Sequence, residues 1–344
     1  MSENDVQLFP TTVLGAGAWG TALAIAIARN DHPVILWGRD ASQLAAMRQS
    51  RSNERYLPGI VFPESLVIAD DFEQAVSVAK HVLVSVPSIA FSETLIALKP
   101  LLAENVPLSW ATKGLTPDTG RFLSDTAHDI LGDSHPLAII TGPSFAAEVA
   151  KGLPTAITVA SADNQFNQAL ASALHSPNLR AYNSNDLLGA QIGGTVKNVL
   201  AISAGISDGL GFGANARAAL ITRGMAEILR LAASLGARSE TMIGLSGIGD
   251  LILTCTDDQS RNRQLGLAIG RGLTVEQAVA EVGKTVEGMY AAREVLKRAQ
   301  QAQIEMPIVE QVCKILFEGY DPRTSVQELL CRQQKAESGL LNQQ

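Results

Sequence analysis

The sequence predicts an α/β chain in two parts: residues 1–186 built on a doubly wound parallel sheet, and residues 187–344 forming an all-α C-terminal domain. Three observations lead there. Up to about residue 185, short apolar β-rich runs alternate with helical segments, the pattern of a parallel sheet covered on both faces. The first run is followed at once by GAGAWG (15–20), and from Leu187 onward strand-like runs stop and long apolar-periodic segments take over.

Thr11–Leu14 reads as a buried strand and Thr21–Arg29 as a helix of strong formers, so Gly15, Gly17 and Gly20 occupy a strand-to-helix turn. In a Rossmann-type dinucleotide fold the three glycines do different things. Gly15 permits the tight turn, Gly17 lets backbone approach the pyrophosphate, and Gly20 lets helix and strand pack closely. The helix N-terminus then offers free N–H groups to the anion. The next strand, Val34–Trp37, ends in Gly38-Arg39-Asp40. At this position an acid binds the ribose 2′-hydroxyl of NAD and an arginine accepts the 2′-phosphate of NADP. Because Gly38 has no side chain to exclude a phosphate, NADP is favoured with NAD tolerated; a plain surface Arg-Asp pair is the alternative.

Further strands are expected in HVLVSVP (81–87), VPLSWATKG (106–114), PLAIITGPS (136–144) and TAITVAS (155–161). Ligands of such sheets bind beyond the carboxyl ends of the strands. That rule selects Lys113 beside Gly114, and Gly142-Pro143-Ser144 at the start of a helix, where Pro143 suits a first turn and Ser144 caps or presents its hydroxyl. Both loops are expected at the nicotinamide end; a solvated loop lysine is the alternative for Lys113.

In the second half, LLGAQIGGTVKNVLAISAG reads as a helix, SDGLGFG as a break and ANARAALITRGMAEILRLAASLG as the next helix. Thr274 with Gln277 makes a capping box, and Asp321-Pro322 a helix start. Lys197 lies in an otherwise apolar helix with Gly193 and Gly194 one turn back and Ala201 one turn on, which suggests room for a ligand beside a cation. A buried lysine needs a partner or an anion, and Asp250, itself inside an apolar stretch, needs a cation; the two are candidates for each other, with Asn198 placed to orient a substrate. Thr254 is one helical turn beyond Asp250. After Asp257 or Asp258 ends a loop, Ser260-Arg261-Asn262 opens a helix as a phosphate site, with Arg263 as the solvated member of the arginine pair. Glu287 is either an exposed helix-start acid or a cofactor contact.

Composition sets the frame. A length of 344 residues allows two cores, and 46% hydrophobic with 18% charged residues is ordinary for a globular protein. A net charge of −7 argues against nucleic acid as the main partner, so an anionic substrate must be attracted by a local pocket. The start MSENDVQLFP has neither a basic nor an apolar signal region. The apolar run Ala22–Ala28 falls far short of the ~20 residues of a membrane span. Cys255, Cys313 and Cys331 are odd in number and lack metal-ligand spacing, which reads as reduced thiols in the cytoplasm with no metal. The last dozen residues, ending GLLNQQ, read as a loose tail.

Together GAGAWGTALA, TKG, GPSFAAE, GGTVKNVLAISAG, GDLILTCTDDQSRNRQLG and VEGMYAA, in this order over roughly residues 11–300, resemble the motifs of the bacterial NAD(P)-dependent sn-glycerol-3-phosphate dehydrogenases. The resemblance implies reversible hydride transfer between NAD(P)H and dihydroxyacetone phosphate, a small phosphorylated triose, giving sn-glycerol 3-phosphate for phospholipid synthesis. It implies Lys197 as the catalytic proton acceptor, assisted by Lys113 and Asp250. Cofactor contacts would come from Gly15, Gly17, Ala18, Trp19, Gly20, Arg39, Lys113, Ala146, Arg261, Val286 and Glu287. Substrate contacts would come from Lys113, Gly142, Ser144, Lys197, Asp250, Thr254, Ser260, Arg261 and Asn262. Many relatives carry a smaller aromatic or Phe where Trp19 stands. A homodimer is compatible with the reading, since neither composition nor motifs set the oligomeric state. Lys113 and desolvation should lower the Lys197 pKa and Asp250 should oppose them, without the sequence saying which wins.

Two rival readings share parts of this pattern. The β-hydroxyacid and 6-phosphogluconate dehydrogenases share the two-domain plan and a lysine on the first helix of the second domain, but the Arg261 cluster and GPSFAAE argue against them. A non-catalytic NAD(P)-sensing module would need the glycines but not Lys113, Lys197 and Asp250 together.

Overall fold

A computed structural model describes residues 10–117, 119–283 and 285–332; the expected loose tail and the first nine residues lie outside the described residues. The chain divides into two compact units. One comprises the residues up to Thr112 with Leu123–Leu187, and the other Lys113–Phe122 with the described residues from Leu188 onward.

The first unit holds an eight-stranded sheet of β1 (Thr11–Leu14), β2 (Val34–Trp37), β3 (Leu66–Ile68), β4 (His81–Val84), β5 (Leu108–Trp110), β6 (Leu137–Thr141), β7 (Thr155–Ser161) and β8 (Leu179–Ser184). Their order is β8-β7-β6-β5-β4-β1-β2-β3. The chain leaves β1 toward β2 on one side and returns to β4 on the other, so the switch point of the doubly wound sheet lies beside the glycine turn. Strands β1 and β4 are buried throughout, which is why TTVL and HVLV read as continuous rather than alternating runs. Their buried histidine is satisfied by both neighbouring strands: His81, fully buried and pushed down to about 3 by desolvation, meets Thr11 Oγ1 through Nδ1 (3.2 Å) and Ser109 Oγ of β5 through Nε2 (2.8 Å).

Three expectations need correction. The sheet is mixed, because β7 pairs with β6 antiparallel and β8 then follows β7. Strands β3 and β8, and a small ribbon of Ser52–Asn53 with Leu57–Val61, were not anticipated; LRAYNS and LPGIV carry too few buried apolar residues to stand out. The first helix starts at Ala18, three residues early, and includes Gly20, whose Cβ would lie 2.0 Å from the carbonyl oxygen of Gly15.

The second unit is helical, and its axis is Leu187–Gly209, buried from Gly189 to Ser207. Backbones touch along it. A Cβ on Gly193 would sit 2.2 Å from Ser246 O, and one on Gly266 would sit 2.0 Å from Ile202 O. The small residues near Lys197 therefore serve close packing of the Leu245–Gly249 turn and the Arg261–Gly270 helix, and the space expected for a ligand beside Gly193 is filled by backbone. Segment 113–122 joins this unit, against the expected boundary at residue 186, because Leu115 and Phe122 lie in its apolar core. Arg298 stacks on the Phe122 ring at 4.6 Å and donates to Gly120 O at 2.6 Å. The capping box of Thr274 and Gln277 and the Asp321-Pro322 helix start are present as expected. No helix among the described residues is long and apolar enough to cross a membrane.

Glu227, on the Gly213–Ser234 helix, is buried and its carboxylate accepts the N–H groups of Ile308 (2.8 Å) and Val309 (3.4 Å), capping the Pro307–Glu318 helix from outside. Burial raises its pKa from the ordinary 4.5 to about 7, against the pull of those two bonds. The folded state therefore holds this proton more tightly than the unfolded chain. Its stabilising contribution is complete below about 4.5 and is lost as pH rises through 7, up to roughly 3 kcal/mol. Glu227→Gln keeps an acceptor without the charge, so urea unfolding across pH 5 to 8 should show the parent losing stability in that window and the variant losing less.

Candidate active site

The glycine turn is built by contact on two sides and openness on the third. Gly15 has φ +121° and its Cβ would lie 2.3 Å from Ser85 O, so only glycine fits. Gly17 caps the first helix and has nothing within 4 Å of its missing Cβ. The N–H groups of Ala18, Trp19 and Gly20 open the helix unpaired by its own turns, and the buried indole Nε1 of Trp19 has no acceptor among the described residues. An open glycine flank, free helix-end donors and an orphaned indole N–H fit a dinucleotide pyrophosphate.

At the end of β2 the two candidate ribose readers separate. Asp40 caps the Ala41–Ser50 helix, accepting Gln43 N–H (3.0 Å) and Ser42 Oγ (2.6 Å), and it pairs with Arg55 at 3.0 Å. Those bonds, Ser42's first, hold its carboxyl below the usual range. Arg39 is exposed and has no partner among the described residues. Gly38 has a reason other than the one expected, since its Cβ would meet the Cβ of Ala16 at 2.8 Å.

The loop after β6 also departs from expectation. Its helix begins at Ala146 with Phe145 as the cap, so Pro143 and Ser144 precede it and Ser144 does not cap; its hydroxyl donates to Gly142 O at 3.0 Å. Gly142 is held at φ +118° with its flank against Ile157 backbone.

In the second unit one buried carboxylate gathers two lysines. Asp250 Oδ2 accepts from Lys113 Nζ at 2.8 Å and Oδ1 from Lys197 Nζ at 2.5 Å, with Asp250 only 1% exposed and Lys197 6%. The Asp250–Thr256 helix sets Thr254 one turn on, where its hydroxyl donates to Asp250 O (2.6 Å) and accepts from Lys197 Nζ (3.0 Å). Lys113, expected at a strand's carboxyl end, is three residues past β5 and bonded into this cluster.

Charges here compete. Desolvation, then the repulsion of Lys113, lower Lys197 to about 7 although Asp250 opposes them. Lys113 moves upward because Asp250 outweighs its burial, and Asp250 moves downward because two cations outweigh its own. Desolvation wins at Lys197, the question that the sequence left open.

Beside the cluster, Ser260 caps the Arg261–Gly270 helix, its Oγ accepting Arg263 N–H at 3.3 Å. The N–H groups of Arg261 and Asn262 have no acceptor among the described residues. Arg261 is the exposed arginine, with one bond to Thr285 O at 2.8 Å. Arg263, expected to be solvated, is buried and bonded to Asp208 (2.5 Å), Asp258 (2.9 Å) and Cys255 O (3.2 Å), which anchors the helix start. The Asn262 side chain faces inward, donating to Asn198 Oδ1 (2.9 Å) and accepting Gly288 N–H (2.9 Å). Asn198 is thereby occupied with Asn262. Val286 caps the Glu287–Gln301 helix, and Glu287 is half-buried rather than exposed, its pKa raised by burial against the pull of Arg261, Lys113 and Lys197. Lys284, two residues before this motif, lies outside the described residues. All three cysteines are free, and no metal-binding group of three or more His, Cys, Asp or Glu occurs among the described residues. The buried role of Arg263 was missed from sequence; an arginine three residues after a serine cap, with Asp257 and Asp258 before it, was the available signal.

Two family profiles cover the chain: the NAD-dependent glycerol-3-phosphate dehydrogenase N-terminus over residues 10–167 and the corresponding C-terminus over 186–327. A protein of Idiomarina loihiensis called glycerol-3-phosphate dehydrogenase [NAD(P)+] is 54% identical over 333 residues, 96% of this chain and 100% of that one. One of the same name from Vibrio cholerae is 52% identical over 327 residues, 95% of each. The crystal structure of glycerol-3-phosphate dehydrogenase from Coxiella burnetii matches with a TM-score of 0.91 at 45% identity, over 94% of this chain and 99% of that one.

With Asp40 engaged as a cap, Arg39 is the candidate ribose reader left without a partner among the described residues. Arg39→Ala should weaken NADPH about tenfold and NADH much less, since only the former has the phosphate for a guanidinium fork. Dissociation constants for both cofactors decide it, equal losses removing Arg39 from the phosphate.

Proposed function

The chain belongs to the NAD-dependent glycerol-3-phosphate dehydrogenase family, and on that premise we propose that it catalyses the reversible reduction of dihydroxyacetone phosphate to sn-glycerol 3-phosphate. Its cofactor is NAD(P)H. The observation that supports the chemistry is the Lys113–Asp250–Lys197 cluster, in which Lys197 is brought to about 7. We place the enzyme in the cytoplasm, as a homodimer, supplying glycerophospholipid synthesis.

Reduced nicotinamide supplies the hydride when bound. The chain's own residues act on the oxygen. As a ketone carbon accepts hydride, negative charge develops on its oxygen, and a cation there binds the transition state better than the ground state. Lys197 gives two of its three N–H groups to Asp250 and Thr254, leaving the third for that oxygen. Proton donation leaves Lys197 neutral, a form favoured by desolvation and by the Lys113 charge, while Lys113 keeps Asp250 paired. In oxidation the neutral amine takes the hydroxyl proton back. The Ser260 cap, the two unpaired helix N–H groups and the Arg261 guanidinium form the site for the substrate phosphate. Gly142 and Ser144 are assigned to the substrate loop, and Ala18, Trp19, Ala146, Val286 and Glu287 to the cofactor.

Lys197→Ala should lower kcat by at least ~100-fold while NADPH still binds. Because reduction requires protonated Lys197, kcat/KM for dihydroxyacetone phosphate should fall as pH rises through about 7. Asp250→Asn removes the charge that raises this pKa, so the falling limb should move to lower pH. Normal turnover by Lys197→Ala would refute the assignment. For the phosphate, Arg261→Ala should cost dihydroxyacetone phosphate about ten- to two-hundredfold in kcat/KM and unphosphorylated dihydroxyacetone little. Any loss of NADPH affinity is measured separately and divided out; equal residual losses for both substrates would mean that Arg261 does not read the phosphate.

A further inference from the structure

The Ala16 carbonyl, in the middle of the glycine turn, accepts two side-chain amides from outside it. Gln43 Nε2 donates at 2.8 Å and Asn53 Nδ2 at 3.1 Å. Asn53 gives its other amide proton to Thr21 Oγ1 at 2.8 Å, so one buried side chain grips the chain on both sides of Gly17. The two amides come from different elements: Gln43 from the first turn of the Ala41–Ser50 helix, and Asn53 from the small antiparallel ribbon. Neither residue belongs to a motif that pointed to the site.

We propose that Asn53 and Gln43 are positioning residues for the dinucleotide turn: by holding the Ala16 carbonyl they aim the Gly17 N–H at the cofactor's pyrophosphate. The physical basis is the rigidity of one peptide plane. The Ala16–Gly17 bond is trans, so its C=O and N–H point in opposite directions, and fixing one fixes the other. Gly17 has nothing within 4 Å of its missing Cβ and the widest backbone freedom of any residue, so no packing of its own holds that plane. Two amide donors behind the carbonyl supply the restraint, and order that is present before binding is not lost on binding. The Gln43 half of the grip depends on Asp40, whose carboxylate accepts the Gln43 N–H and starts the helix. The residue beside the ribose reader thus serves the pyrophosphate end through the helix that it caps.

The inference rests on the reading of this chain as an NAD(P)-dependent enzyme. The test uses the full chain and measures dissociation constants by calorimetry for NADPH, NADH and adenosine 2′-monophosphate, which has the 2′-phosphate and no pyrophosphate, with thermal midpoints alongside. Gln43→Ala and Asn53→Ala should each weaken NADPH and NADH by one common factor of about two- to tenfold, and leave adenosine 2′-monophosphate within about twofold, the reproducibility that such a comparison requires. Asn53→Asp, of the same size but without the amide donors, should lose at least as much as Asn53→Ala. Gln43 is only half-buried, so Gln43→Ala decides the matter if the Asn53 variants do not fold. Unchanged dinucleotide affinity in folded variants overturns the proposal, as does an equal loss for adenosine 2′-monophosphate, which would mark a general disturbance. A parent protein that binds neither NADPH nor NADH removes the premise, and the proposal falls with it.

Discussion

The second unit is organised around one buried carboxylate that must serve two lysines. Asp250 is almost wholly out of water, where an unpaired charge is prohibitive, and Lys113 and Lys197 each take one of its oxygens. One anion cannot fully compensate two cations, so the cluster is left short of negative charge, and desolvation places the deficit on Lys197. Desolvation first, and the Lys113 charge after it, bring Lys197 to about 7 against the pull of Asp250. The Lys113 loop, the Leu187–Gly209 helix and the Asp250–Thr256 helix must all be in place for the balance to hold.

Bare backbone is the recurring means of bringing polar groups together. In the first unit Gly15, Gly20 and Gly38 remove side chains so that the β1 turn, the first helix and the end of β2 touch. In the second, Gly193 and Gly266 let the Leu245–Gly249 turn and the Arg261–Gly270 helix press against the axial helix. Arg263 completes that anchoring from within, tying the helix start to Asp208 and Cys255 O.

Much of this was legible in order along the chain. Strands β1, β2 and β7 begin and end where the β-rich runs Thr11–Leu14, Val34–Trp37 and Thr155–Ser161 do, β1 being buried along its whole length. The Lys197–Asp250 pairing followed from the cost of burying either charge alone, and the Thr254 position followed from helical spacing. Strands β3 and β8 escaped because edge strands need no continuous apolar run.

What the sequence determined by itself were the local quantities: two kinds of architecture, the glycine turn, helix starts at Thr274 and Asp321, and an inventory of ions that could not stay unpaired. What only the tertiary structure decided were the assignments between distant residues. Arg261 and Arg263 are two residues apart, and the fold made the second a buried anchor and left the first exposed. Asp40 became a cap while Arg39 stayed unpaired, and segment 113–122 left the sheet for the helical core. The physical reason is the same in each case: local propensity is a property of neighbouring residues, whereas burial and charge compensation are set by whichever remote groups the packed chain brings within a few ångströms.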